Sequence, residues 1–409
     1  MKDPDRFRVI STRHPHAHTP TTHTQPCPAR AAAIARATCD HQKAIAMTGT
    51  STLSGEGQCN LWSFAREGLA ATASSLSHIS DDSLALPASE PSTKRYEAAF
   101  LLCLAASILC FVVSTLSSNY SQVDKIWSII PVAYAWIAVY PGSDDNGMDP
   151  RTLMMAVLAT IWGVRLTWNF HRRGGYTWPP WQGDEDYRWA YIQKGEYLPI
   201  LSKPLPWMLF NLFFISIYQN VLLMLIAMPN FVVADLATRL ECQSVVEPLT
   251  LADYSLAILF IALIILETLA DNQQWNFQQE KTRQRKNGNI DTSKSATDDY
   301  AAGFCRSGLF AILRKPNYSC EQSIWICNYL FTVTATGGTT EYLLNWSFVG
   351  CFLLVLLFQG SGSCKEKISS AKYPDYSQYK KDVPLYVPSL KKVWELAGGG
   401  GGRNNQKVE

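Results

Sequence analysis

The chain has 409 residues, of which 47% are hydrophobic, 12% are aromatic and only 17% are charged, whereas soluble proteins carry about 25% charged residues. Its formal net charge of +2 gives no electrostatic reason to expect a nucleic-acid partner. The hydrophobic residues form long runs between residues 96 and 392, whereas residues 1–95 are polar and rich in Ala, Thr, Ser and His. The sequence therefore indicates a membrane protein with a polar N-terminal segment.

The polar segment, residues 1–95, is predicted to be a disordered or targeting tail. Its first 39 positions carry five arginines and two acids, as organellar targeting segments often do, and they contain no apolar core of a secretory signal peptide. Residues 393–409 are rich in Gly and polar residues and are predicted to be a second flexible tail. The membrane domain is thus expected to occupy residues 96–392.

Hydrophobic runs long enough to be membrane helices recur through this domain. A helix needs about 20 mostly apolar residues to cross the hydrocarbon core of a bilayer. Seven runs are candidates, of which the second and the sixth are short, and they are residues 98–116, 126–140, 153–170, 207–228, 249–270, 324–334 and 342–358. The predicted fold class is therefore all-α, a polytopic membrane bundle of about seven transmembrane helices.

The distribution of Lys and Arg predicts how these helices are oriented. The links on one side of the seven spans contain 21 Lys and Arg residues, and those on the other side contain 4. Because cytoplasmic links carry the excess of basic residues, the C-terminus is expected in the cytoplasm. The endoplasmic reticulum is the predicted membrane, with plastid and mitochondrial membranes as alternatives.

The eleven cysteines are scattered and form no Cys-x-x-Cys pair. The spacing therefore predicts neither a structural zinc site nor a disulfide framework. Several cysteines lie inside apolar runs, where the side chain packs as a small hydrophobic group. No metal is expected as a cofactor.

Charged side chains within the apolar runs are the first candidates for a functional site. Arg165 lies in the third run, and Glu267 and Asp271 lie one helical turn apart at the end of the fifth. Such groups are costly in hydrocarbon and usually face the interior of the bundle. Further along the chain, Pro316 predicts a helix start that places Asn317 and Glu321 one turn apart, where both could face one ligand.

These polar clusters follow one another in an order that resembles the membrane family of the steroid 5-alpha-reductases and their relatives with a DUF1295 domain. The resemblance covers about residues 119–390. It is carried by residues 124–128, Arg165 with 166–170, 172–176, 184–189, Asp271 with Gln273 and Gln274, the Arg314-x-Pro-Asn-Tyr-x-x-Glu321 stretch, and Lys372-Tyr373-Pro374-x-Tyr376.

The resemblance implies an integral-membrane oxidoreductase that acts on CH–CH groups. In this family a helix bundle holds NADPH toward the cytoplasm and reduces a carbon–carbon double bond conjugated to a ketone in a sterol-like or other hydrophobic lipid. Carried over by position, the predicted cofactor-binding residues are Asn317, Tyr318, Glu321, Trp325, Asp271, Arg173, Arg314, Glu366 and Tyr373.

The match to the reductases is incomplete at the residues that handle the substrate. The histidine and arginine that follow the last span in the reductases are replaced by Gly362 and Phe358. The tyrosine and glutamate that polarise the substrate ketone also have no clear counterpart. Asp124 and Arg165 are therefore predicted to be the catalytic residues, as donors to the carbonyl oxygen.

Two other functions are compatible with the pattern. Membrane methyltransferases that use S-adenosylmethionine and act on isoprenylcysteine or phospholipids share an Arg-x-Pro-x-Tyr stretch and a later pair of tyrosines, but typically carry adjacent glutamates where this chain has only Glu366. A non-catalytic membrane scaffold would also explain the missing substrate-polarising residues. The reductase is the favoured hypothesis, by analogy with the family.

Overall fold

A computed structural model describes residues 59–78, 91–140, 148–239, 242–288, 298–340 and 342–388, which belong to one compact unit. Within these residues the secondary structure is helical and contains no strand. The helices are α1 (Leu61–His78), α2 (Pro91–Ser117), α3 (Gln122–Ile126), α4 (Ile130–Val139), α5 (Pro150–Arg172), α6 (Tyr187–Gln193), α7 (Pro204–Thr238), α8 (Leu251–Lys286), α9 (Asp299–Ala302), α10 (Pro316–Ala335), α11 (Phe348–Lys372) and α12 (Tyr376–Asp382).

Five of these helices, α2, α5, α7, α8 and α11, are long and apolar enough to cross a membrane. They coincide with five of the seven predicted spans, so the helical membrane architecture is confirmed. The two remaining spans correspond to α4, which has only ten residues, and to α10, which buries polar side chains such as Glu321 and Asn328. The count of seven therefore stays a prediction.

Helix α7 lies at the centre of the bundle and packs against α2, α4, α10 and α11. It continues through Pro229 to Thr238, so the predicted end at residue 228 is ten residues short. The Asn328 amide donates to the Ile226 carbonyl at 3.4 Å, next to the carbonyl that Pro229 leaves without its usual helical donor. A tertiary contact thus holds α7 to α10 beside the point where the proline interrupts the helical hydrogen bonds.

The early part of α7 departs from regular α-helix. Residues Asn211–Tyr218 form a π-helical segment, in which each turn contains more residues than usual. The buried Asn211 amide donates to the Ser114 hydroxyl of α2 at 2.9 Å and ties this segment to its neighbour. Such segments occur often at functional sites, and Phe214 and Tyr218 of this one line the cavity described below.

The outward faces of two helices are strongly apolar. On α2 and α8 the exposed large side chains are Leu101, Leu104, Ile108, Leu109, Val112, Leu116, Ile258, Leu259, Ile265, Leu266 and Leu269. Exposed apolar surface of this extent is unfavourable in water and is suited to contact with lipid chains. The faces therefore agree with a bundle embedded in a bilayer.

The N-terminal segment differs from its prediction. Residues 61–78 form helix α1, which packs against α2, and a disulfide joins Cys59 to Cys242 just after α7. An Arg239–Glu67 ion pair at 2.7 Å adds a second link. The helix and the disulfide thus stand where a disordered or targeting tail and no disulfide framework were predicted, because burial against the bundle orders a segment that its own composition does not. Residues 1–58, 79–90 and 389–409 lie outside the described residues.

The disulfide and the polar segments lie at opposite ends of the bundle. Helix α7 begins beside the loop that follows α6 and ends near Cys242. Its 35 residues span about 50 Å at 1.5 Å per residue. The disulfide end also holds two buried ion pairs, Arg95–Asp235 and Arg151–Asp253, each at 2.9 Å. The other end gathers α3, α6 and the ends of α5, α8 and α11.

Candidate functional site

A cavity of about 700 Å³ lies toward the end of the bundle opposite the disulfide. Residues of α3, α5, α6, α7, α8, α10 and α11 form its wall. Part of the wall is apolar, with Leu166, Phe170, Phe210, Phe214, Leu357 and Phe358, and the rest carries charged and amide groups. A concave space of this size with a few convergent polar groups is typical of a site for a small molecule or a cofactor.

Asp271 of α8 is the centre of the polar part. Its carboxylate accepts hydrogen bonds from the Asn169 amide at 2.7 Å and the Asn317 amide at 3.1 Å, and also from the Arg165 guanidinium. Arg173 contacts it at 3.4 Å and is 44% exposed. Arg165 and Asn169 are one turn apart on α5 and therefore present the same face to α8. The network joins α5, α8 and α10.

Two further carboxylates lie beside this network. Glu267, one turn before Asp271, forms an ion pair with Arg165 at 2.8 Å. Glu321 of α10 accepts a hydrogen bond from the Trp162 indole at 2.8 Å and another from Trp325 at 3.1 Å. The two indole rings pack edge to face with their centroids 4.8 Å apart, which holds the donors in place.

This part of the cavity contains more acidic than basic groups. Three buried or nearly buried carboxylates, those of Glu267, Asp271 and Glu321, surround the single guanidinium of Arg165, with Arg173 at the margin. The Oε2 atom of Glu267 is buried and has no hydrogen-bond partner among the described residues. The arrangement therefore has unused acceptor capacity for a ligand with hydroxyl or amide donors.

A second polar cluster on the same wall is basic. Arg188 of α6 binds Asp186 through two contacts of 2.8 Å and donates to the Ser361 hydroxyl at 2.5 Å. The Lys365 ammonium lies 4.9 Å from the centre of the Tyr318 ring. Although burial opposes ionisation of Asp186, the adjacent Arg188 and Lys365 lower its pKa to about 2. This carboxylate is therefore ionised at neutral pH.

Asp124 reaches the cavity from the short helix α3. Lys125, the next residue of the helix, holds α3 in place, because its ammonium donates to the carbonyls of Pro180 at 3.0 Å and Gln182 at 2.7 Å. The Oδ2 atom of Asp124 is buried and has no partner in the described part of the chain. Burial, and then the charge of Asp186, raises the pKa of Asp124. A carboxyl in this setting is suited to donate a hydrogen bond or a proton.

The structure brings six of the predicted site residues to the cavity wall, which are Asp124, Arg173, Asp271, Asn317, Tyr318 and Glu321. Arg165 and Trp325 lie behind the wall and contact the carboxylates that line it. For Arg165, predicted to be catalytic, the contacts indicate a role in neutralising Glu267 and Asp271.

Three predicted cofactor-binding residues lie outside the cavity wall. Arg314 and Glu366 form a buried ion pair at 2.9 Å, and Tyr376 donates to Glu366 at 2.5 Å. Tyr373 accepts a hydrogen bond from Lys281 at 3.1 Å. The Tyr373 and Tyr376 contacts attach the segment after α11 to the bundle, and the Arg314–Glu366 pair joins α11 to the residues before α10.

The segment after α11 is also hydrogen-bonded to the start of α10. The backbone amides of Arg314 and Lys315 donate to the carbonyls of Pro384 and Leu385 at 2.9 and 3.2 Å. The Ser319 hydroxyl donates to the Tyr386 carbonyl at 2.7 Å. We call this set of contacts, together with the Arg314–Glu366 pair, the C-terminal clasp. It positions the helical turn that presents Asn317 and Tyr318 to the cavity.

Several site residues were not predicted to have a role in the site, and these are Trp162, Asp186, Arg188, Ser361 and Lys365. Asp186 and Arg188 lie in a segment of the family resemblance, which is a signal that could have identified them. Trp162 occurs in an apolar run, where nothing local distinguishes a carboxylate donor from a packing residue. In the described part of the chain, no group of three or more His, Cys, Asp or Glu side chains is arranged to bind a metal ion.

Comparison with known proteins agrees with the polar clusters described above. The profile of the DUF1295 family, described as proteins of unknown function, matches residues 110–383. An uncharacterized protein of Schizosaccharomyces pombe is 36% identical over 283 residues, which are 68% of this chain and 75% of the yeast protein. No solved structure matches. The family match spans most of the chain and includes every element of the cavity wall, and the protein therefore belongs to the DUF1295 family.

Proposed function

We propose that this protein is an integral-membrane reductase that uses NADPH to reduce a conjugated carbon–carbon double bond in a sterol-like or other hydrophobic lipid. The observation that carries the proposal is that one cavity combines an apolar wall with converging polar groups. Asp124, Asp271 and Asn317 come from three separate helices to the same space. Polar groups that converge in an otherwise apolar pocket fix the orientation of a bound molecule.

The residues present fit the chemistry of NADPH. A buried acceptor oxygen without a partner among the described residues, Oε2 of Glu267, suits the amide and hydroxyl donors of a dinucleotide. Asn317 and Arg173 would bind its acceptor groups, and both already contact Asp271. When bound, NADPH would supply the hydride for the reduction. These side chains hold and orient it.

An apolar groove beside the cavity supports the proposal of a lipid substrate. An apolar groove of about 480 Å³ lies along the outer faces of α4 and α5 and includes Val132, Val164 and Trp168. Ser128 lines both this groove and the cavity, and its hydroxyl hydrogen-bonds that of Thr167 at 2.6 Å. A lipid bound in this groove would lie beside the cavity and within the bilayer.

Asp124 is the proposed proton donor. Reduction of a conjugated ketone develops negative charge on the carbonyl oxygen, and a donor aimed at this oxygen stabilises the charge. The raised pKa of Asp124 favours the protonated carboxyl, which can donate. Arg165 acts behind the wall, where its positive charge permits Glu267 and Asp271 to lie buried beside each other.

We further propose a bundle of seven membrane helices in the endoplasmic reticulum with the C-terminus in the cytoplasm. The end that carries the excess of Lys and Arg faces the cytoplasm under this proposal. The Cys59–Cys242 disulfide lies at the opposite end, which would be the oxidising lumen. The two arguments are independent, and both support the same orientation.

Methyl transfer from S-adenosylmethionine is the second candidate. The position of Glu366 argues against it, because the carboxylate that would correspond to the paired glutamates of those enzymes binds Arg314 and Tyr376 away from the cavity. A non-catalytic scaffold remains the third candidate. It predicts that neither cofactor binds.

Thermal unfolding of the detergent-purified protein with NADPH, NADH or S-adenosylmethionine tests these alternatives, because a ligand that binds only the native state stabilises it. We expect stabilisation by NADPH. Asn317→Ala, which removes a single hydrogen bond to Asp271, should weaken NADPH binding about tenfold while the unliganded protein unfolds at its usual temperature. Stabilisation by S-adenosylmethionine alone, or by none of the three compounds, would refute the reductase proposal.

A further inference from the structure

Two cations on the cavity wall, Arg188 and Lys365, form a single ion pair with the carboxylates of the described residues. Arg188 and Lys365 are close enough to repel each other, and both are attracted to Asp186. Asp186 forms its ion pair with Arg188, and Lys365 forms no ion pair with any carboxylate of the described residues. The Lys365 ammonium, which lies over the Tyr318 ring, is therefore available to pair with an anionic group of a ligand.

The donors of this cluster have unused capacity. A guanidinium offers five N–H groups, and Arg188 uses its Nε and one N–H on each terminal nitrogen for Asp186 and Ser361. The Lys365 ammonium has three N–H groups and faces the Tyr318 ring. The hydroxyls of Tyr318 and Ser361 lie 3.4 Å apart between the two cations. Together they form a group of donors on the cavity wall that is suited to an anion.

The basic cluster and the acidic cluster line the same cavity. The acidic cluster, Glu267, Asp271 and Glu321, suits uncharged donors, whereas Arg188 and Lys365 suit an anion. A ligand that satisfies both must carry a negatively charged group at one part and hydroxyl or amide groups at another. Phosphate esters are bound strongly by a guanidinium and an ammonium together.

We propose that Arg188, Lys365 and Ser361 form a phosphate-binding subsite of the cavity, which takes a phosphate ester group of the bound ligand. For NADPH as the ligand, the inference rests on the proposed function. It then assigns the phosphates of NADPH to this part of the cavity wall. A phospholipid headgroup has the same chemistry. The binding experiment distinguishes the two sources.

The test compares Lys365→Met with Lys367→Met in the full-length protein. Lys367 lies two residues further along α11, is exposed and is outside the cavity wall, so it controls for the loss of a positive charge at this end of the helix. Arg188 is left intact because its loss would leave Asp186 buried without a partner. The probes are NADPH, inorganic pyrophosphate and dioctanoyl phosphatidic acid, each titrated in detergent.

We expect Lys365→Met to weaken NADPH binding about ten- to a hundredfold, because a charge-assisted hydrogen bond is lost, and Lys367→Met to leave it within about twofold. Pyrophosphate should compete with NADPH in the wild type. Wild-type NADPH affinity in Lys365→Met would overturn the subsite while the reductase proposal stands. Binding of phosphatidic acid but not NADPH, lost in Lys365→Met, would support the subsite and refute the reductase. No binding of any probe to the wild type would overturn both.

Discussion

Replacement of Arg165 by Met tests whether this guanidinium neutralises the acidic cluster. Its side chain is only 10% exposed and binds Glu267 at 2.8 Å and also Asp271, whose side chains are 5% and 4% exposed. Methionine fills similar space without charge, so Glu267 would remain buried without a cation and Asp271 would keep only the exposed Arg173 at 3.4 Å. Removal of one partner of a buried ion pair costs about 3–5 kcal/mol of unfolding free energy, and the nearby charge of Glu321 adds to the cost.

The loss is measured by denaturant unfolding of the protein in detergent micelles. Arg283→Met is the matched control, because Arg283 forms an ion pair with Glu280 at 2.8 Å but is 72% exposed, so its loss should leave stability near that of the wild type. Equal stability of the two variants would refute the proposed role of Arg165. Adding Glu267→Gln and Asp271→Asn to Arg165→Met should restore most of the stability, since Glu321, which keeps its two indole donors, is then the one carboxylate of the acidic cluster that remains.

Three other predictions concern stability and pH. Cys59→Ser should lower the unfolding free energy by about 2–4 kcal/mol through loss of the disulfide to Cys242. The wild type unfolded in the presence of a reductant should show the same unfolding free energy as this variant. A wild type whose stability does not change with reductant would contradict the disulfide. Because the pKa of Asp124 is raised, the folded state loses stability as pH rises from about 4 through that pKa. Asp124→Asn should therefore have a higher melting temperature than the wild type at pH 8, yet it should reduce enones more slowly. The pKa of Asp186 is lowered to about 2 beside Arg188, so its contribution to folding stability is present above about pH 4 and is lost as pH falls toward 2. In Asp186→Asn the melting temperature should change less with pH across this window. A pH profile identical to that of the wild type would count against the pairing with Arg188.

The long helices were predictable because apolar runs of sufficient length have few other stable arrangements in a bilayer. The errors occurred where tertiary contacts decide. A proline such as Pro229 normally marks a helix end, yet here the flanking polar groups find partners on α10. Similarly, helix α1 has no long apolar run, and its order depends on packing against α2 and on the link from Cys59 to Cys242.

The candidate site was partly predictable for a related reason. Asn317 and Glu321 are separated by one helical turn, so their common direction follows from sequence, whereas Arg314 precedes the helix and its direction depends on the later segment that it binds. The indole of Trp162 donates to a carboxylate 159 positions away, and no local pattern reports such a distance.

The C-terminal clasp has a consequence for how the protein is made. The turn that carries Asn317 and Tyr318 is held by the backbone of Pro384 and Leu385, which are synthesised almost 70 residues later. During translation, the preceding helices can enter the membrane and pack while the cavity still lacks the constraint on one wall. The protein is therefore expected to bind its ligand only after residue 386 has left the ribosome. A chain interrupted shortly before this residue would form an inserted bundle without a finished pocket.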